Sequence, residues 1–86
     1  MKLFRQVSIW KRLYHNKAVR FNCIEDLETS KFVLLSADFF YIPIKGEHIS
    51  YFEKLFPERF IEGELEQRQW FDSVEKAVAD HENKFR

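Results

Sequence analysis

Cys23 is the single cysteine of an 86-residue chain whose three histidines stand at positions 15, 48 and 81. A cysteine nucleophile needs a neighbouring base or positive charge to reach its thiolate form. Cys23 instead lies in RFNCIED, alternating with Phe21 and Val19 and with no histidine near it in sequence. That pattern predicts a small buried hydrophobe. Zinc sites require Cys and His clustered at short spacings, whereas His15 falls in a turn, His48 in the first turn of a helix and His81 in an apolar helix stripe. Among the acids, Glu58 and Glu62 are four apart and share a helix face with Glu64 and Glu66 close behind, but no EF-hand loop or Glu-x-x-His pair accompanies them. A solvated acidic rim is expected there. Glycine-rich phosphate loops and Cys-x-x-Cys pairs do not occur. The chain therefore reads as a non-enzyme, with no metal and no cofactor.

Binding chemistry is concentrated in RQVSIWKRLYHNKAVRF. Lys2, Arg5, Lys11, Arg12, Lys17 and Arg20 are the ionised side chains of the first twenty residues, with no acid among them, while residues 47–86 hold ten acids and six bases. Such a dipolar distribution can orient a partner, within a screening length of about 10 Å at ordinary salt. Alternation places Trp10, Arg12, Tyr14 and Arg20 on one sheet face, where rings and cations are interleaved. Two partner classes fit. One is a protein surface or a second copy of the chain, which aromatic and arginine side chains anchor well. The other is single-stranded nucleic acid, with bases stacked on the rings and phosphates held by the cations. A pI near 6.8 and the acids Glu25, Asp26 and Asp38 on neighbouring strands favour the protein partner. The expected role is a small intracellular binding protein acting as adaptor, inhibitor or accessory subunit; the alternative is a single-stranded nucleic-acid module using the same residues.

No apolar run approaches the roughly 18 residues of a membrane span, and Arg5, Gln6 and Ser8 interrupt the start of the chain where a signal peptide would be continuous. A cytoplasmic protein without membrane contact is expected.

The elements that must position these residues are legible as changes of period. Residues 3–14, 18–27 and 32–42 alternate with period two and are rich in Val, Ile, Phe, Trp and Tyr, so they read as strands. His15-Asn16-Lys17 and Glu28-Thr29-Ser30-Lys31 separate them, with Asn16 suited to a left-handed position. From Glu47 the apolar residues Ile49, Phe52, Phe56 and Phe60 recur at helical spacing; Pro57 should kink or interrupt that helix and Gly63 should close it. In FDSVEKAV, Asp72 is the expected N-cap with Glu75 reaching back to it. Val74, Ala77, Val78, His81 and Phe85 form the inner stripe of the last helix, and Lys76–Asp80, Asp80–Lys84 and Glu82–Arg86 are its expected ion pairs.

The resulting fold is a single small α+β domain over residues 1–86, a three-stranded antiparallel meander followed by two or three helical segments packed on one face (βββαα). Phe52, Phe56 and Phe60 are expected against Val7, Ile9 and Phe21, on the side that Leu3, Leu13, Val19 and Cys23 share. A succession of strands closed by FDSVEKAVADHENKF is similar to the end of WGR domains, although the tripeptide Trp-Gly-Arg does not occur here and no residue role is carried over.

Overall fold

The computed structural model describes residues 2–84. Three strands, β1 (Phe4–Tyr14), β2 (Lys17–Asp26) and β3 (Lys31–Tyr41), form one antiparallel sheet in the order β1-β2-β3. Helix α1 (Gly46–Glu62), a 3-10 turn at Leu65–Gln67 and helix α2 (Val74–Lys84) follow. The βββαα order is as the sequence predicts, and each strand begins and ends within one residue of its expected limits.

Two bulges shape the sheet. Arg12 pairs with Ala18 but Tyr14 pairs with Lys17, leaving Leu13 as an extra residue in β1. Asn22 pairs with Ser36 and Cys23 with Leu34, leaving Leu35 as an extra residue in β3. Each bulge reverses the face on which later side chains of that strand fall.

The helices divide between the two faces of the sheet, which corrects the expectation of helices packed on one face. Alternation in β2 puts Ile24 and Phe21 on opposite sides. Phe56 and Phe60 of α1, with Phe4, Leu65 and Trp70, pack against the cluster of Ile24, Val33 and Leu35. On the other side, the Phe21 ring meets His81 of α2 at 5.9 Å, and Lys11 bonds to Glu82. The physical reason lies in the sheet: Val19, Phe21 and Cys23 are buried on one face, and Ile24 with Val33 and Leu35 forms a second apolar cluster on the other, which one layer of helix leaves in water. The connector between the helices passes along β3, where the backbone of Phe71 pairs with that of Phe32, and so reaches the second face. Phe56 and Phe60 thus lie opposite to the predicted Val7, Ile9 and Phe21 surface.

Six consecutive residues, Phe21 to Asp26, are buried because β2 has a strand on each side and a helix over each face. The polar members of this run, Asn22, Glu25 and Asp26, all have partners, as buried polar groups usually do, whereas Arg20 Nε of the same strand is buried without a hydrogen bond. Glu25 pairs with Arg5, and Asp26 lies 3.1 Å from the Lys2 ammonium. Burial of Asp26 opposes its charge, but the Glu28 amide and Lys2 outweigh it and hold the carboxyl below its ordinary range.

Local details depart from expectation in instructive ways. Ser30, with φ 59°, takes the left-handed position, and Asn16 does not. Helix α1 runs through Pro57. Glu53, whose carbonyl Pro57 cannot serve, is an exposed residue, and Phe56 and Phe60 anchor the helix on the sheet. Gly63 closes α1 with φ −69°, its N–H donating to the Arg59 carbonyl at 2.9 Å; a Cβ would lie 2.4 Å from that oxygen, so close approach and not handedness requires glycine. Ser73 caps α2, its Oγ accepting from the Lys76 N–H at 3.2 Å. Asp72, the expected cap, pairs instead with Lys31 and Lys76. Ala77 is buried and Val74, Val78 and His81 are partly covered, as the stripe predicts; Asp80 pairs with Lys84 at 3.1 Å. The expected places of Phe85 and Arg86 lie outside the described residues.

Candidate functional site

Trp10 leads the site. It projects from the α1 side of β1, opposite Arg20 in the register, and is 57% exposed. The Arg20 guanidinium lies against both Trp10 and Phe40, 5.6 Å from the centre of the first ring and 5.2 Å from that of the second, and the two rings touch each other with centres 5.3 Å apart. Arg20 is not a free cation. Its Nη2 donates to Asp38 Oδ2 at 3.1 Å, and the same oxygen accepts from Asn22 Nδ2 at 2.6 Å. Asn22 also donates to Ser36 and accepts from Ser8. This buried network fixes the guanidinium, and the guanidinium supports the indole by a cation–π contact. Phe40 continues the surface to α1, with ring contacts of 5.0 Å from Phe40 to Phe52 and 5.6 Å from Phe52 to Tyr51.

Tyr14 joins a different half. The bulge at Leu13 turns it to the α2 side of the sheet, opposite Lys17 and away from Trp10, Arg12 and Arg20. The four predicted residues therefore do not share one face, and α1 begins over the face expected to be open. Lys17 lies over the rings of Phe39 and Tyr41 at 5.3 and 5.2 Å. Tyr14, Phe39 and Tyr41 are all largely exposed. Arg12 is exposed and forms no ion pair among the described residues.

Both halves meet at the end of the sheet. After Tyr41 the chain continues as Ile42-Pro43-Ile44 into the first turns of α1, and every residue from Tyr41 to Tyr51 is exposed. Ile42, Ile44, Ile49 and Tyr51 are among the exposed large apolar side chains of this stretch. With Trp10, Tyr14 and Phe39 they form an apolar end surface that sequence reasoning missed. Its signal was present in DFFYIPI: Phe39, Phe40 and Tyr41 are consecutive apolar residues of β3 and so supply both faces, and Ile42 and Ile44 extend the apolar run beyond the strand.

The basic character of the first twenty residues is largely neutralised. Lys2, Arg5, Lys11 and Arg20 are paired with Asp26, Glu25, Glu82 and Asp38, and Lys17 lies on rings. Only local positive charge is left for phosphates.

Cys23 is fully buried, and burial pushes its thiol up to about 11. It should resist a thiol reagent such as a maleimide at pH 7 in the native protein and react readily in denaturant. Native labelling as fast as that of a free thiol would reopen a nucleophilic or redox role. Among the described residues no three His, Cys, Asp or Glu side chains are grouped to hold a metal ion, and no helix is long and apolar enough to cross a membrane. Compared with known proteins, the chain matches no family model, no curated protein and no solved structure.

Proposed function

We propose that this is a non-enzymatic, cytoplasmic protein-binding module that docks a protein partner, or a second copy of itself, through the apolar end surface around Trp10, Tyr14, Tyr41 and Ile42. The observation that carries this reading is the unbroken run of exposed residues from Tyr41 to Tyr51, linked to exposed Trp10 through the ring contacts of Phe40, Phe52 and Tyr51. Soluble domains seldom leave such a patch uncovered unless something binds there. The Trp10–Arg20 stack supports it further, since a rigid ring on an ordered support loses little entropy on docking.

The test is a pair of variants, Trp10→Ala and Ile42→Ser. Each should weaken self-association in sedimentation, or capture of a partner identified from the native host, by about thirtyfold, the equivalent of a 2 kcal/mol hot spot. Thermal unfolding should change little, because both side chains are mostly exposed. A core-sized loss of stability, or unchanged association in both variants, would remove this surface. Single-stranded oligonucleotide binding that falls steeply with salt and disappears in Arg12→Glu would replace the protein partner with nucleic acid.

A further inference from the structure

β3 is an edge strand whose outer edge is closed at one end only. At its start the Phe32 backbone exchanges two bonds with Phe71, at 2.8 and 2.7 Å. Next, Arg68 Nη1 donates to the Leu34 carbonyl at 3.0 Å and Arg59 Nη1 to the Leu35 carbonyl at 2.9 Å. Beyond that point the edge is open. The Ile42 amide bonds inward to the Asn16 carbonyl, so alternation aims the main-chain groups of Tyr41, Phe39 and Ala37 outward. Among the described residues none of these three has a backbone partner on that side. Exposed edges are usually blunted by lysine or proline, as β1 is by Arg5, Lys11 and Arg12. The stretch from Ala37 to Tyr41 has only Asp38 for charge, and Asp38 is buried on Arg20.

The open edge as far as Phe39 lines a groove of about 870 Å³, bounded by Arg59 of α1, Arg68 of the connector, and Ala77, His81 and the paired Asp80 and Lys84 of α2. Leu34 to Phe39 spans about 17 Å at roughly 3.3 Å per residue, room for five extended residues. Arg59 and Arg68 form no ion pair with a carboxylate among the described residues, although Glu58 and Glu62 border the cleft on their far side. Each guanidinium donates one N–H to a main-chain carbonyl, and the donor set of a guanidinium matches a carboxylate fork.

We infer that this groove binds an extended peptide, which adds to β3 as an antiparallel fourth strand and presents a carboxylate at its C-terminal end to Arg59 and Arg68. The direction follows from charge and pairing together. β3 runs from Leu34 towards Tyr41, so an antiparallel strand that starts beside Tyr41 ends at the two arginines, and antiparallel pairing is the stronger kind. Main-chain bonds supply affinity in this mode, while the arginine pair selects the end.

The probes are three pools of random hexapeptides passed over the immobilised protein: free C-terminus without acidic residues, amidated without acidic residues, and amidated with Glu last. The free-carboxylate pool, the Glu pool or both should be retained at least tenfold better than the neutral pool. The first alone marks a terminal carboxylate; retention of both marks any carboxylate at that end. Arg59→Gln with Arg68→Gln should abolish the difference, and amide resonances of Ala37, Phe39 and Tyr41 should shift with peptide. Ala37→Pro, which removes one outward N–H at an edge that tolerates proline, should weaken all retention. Equal retention of the three pools, no retention, or a dimer formed through β3 that excludes peptide would overturn the inference. Trp10 and Ile42 are untouched by these variants, so failure here is separable from failure of the apolar end surface.

Discussion

Asp38→Ala should destabilise the protein by about 3 to 5 kcal/mol, the range for removing one partner of a buried ion pair. Asp38 is 2% exposed and its Oδ2 accepts from both Arg20 and Asn22. Its loss leaves a guanidinium beneath Trp10 without its counter-charge and an amide with one partner fewer. A domain of this size has about 5 to 15 kcal/mol in total, so the variant should lose a large fraction of its stability. Chemical denaturation measures the loss, and a value under about 1 kcal/mol would mean that Arg20 swings out to water and the network holds nothing in place. A double replacement, Arg20→Met with Asp38→Leu, should recover most of the stability, because exchanging a whole buried pair for apolar groups is often neutral or better. It should still lose the cation–π contact to the Trp10 ring, which then has only Phe40 to pack on. Stability and binding would then separate in one protein.

Ile24→Ala should cost about 2 to 5 kcal/mol, the measured span for a buried Ile or Leu truncation. Ile24 is 1% exposed and belongs to the cluster with Val33 and Leu35 on which α1 sits. Phe56→Ala should cost less than the 3 to 5 kcal/mol of a fully buried phenylalanine, about 2 kcal/mol, since this ring is only partly covered. The pair also tests which face α1 covers. In a double-mutant cycle, Ile24 and Phe56 should couple by about 0.5 kcal/mol or more, whereas Val7 and Phe56, on opposite sides of the sheet, should add within about 0.5 kcal/mol. Coupling of Phe56 to Val7 instead would return α1 to the aliphatic face.

That second experiment bears on how the fold is encoded. The strands, the helices and the burial of Val19, Phe21 and Cys23 were legible because period and local propensity are properties of neighbouring residues. Pro57 does not interrupt α1, because the local rule counts one lost hydrogen bond while Phe56 and Phe60 on either side of it grip the sheet. The cap fell on Ser73 because Asp72 is engaged by Lys31, a residue 41 positions away. Of the candidate site, Trp10, Arg12 and Arg20 were correctly grouped on one face by alternation. Tyr14 was not, since a single extra residue at Leu13 inverts the face and nothing in the local sequence announces a bulge.

By itself, then, the sequence determined the element order, the central strand and the apolar face of Val19, Phe21 and Cys23, all of which follow from short-range pattern. Only the tertiary structure decided that the helices lie on opposite sides of the sheet, that most of the early cations are paired, and that the uncovered apolar surface is the Tyr41–Tyr51 end. Those outcomes depend on which distant surfaces meet, and alternation within one strand carries no information about what will cover it.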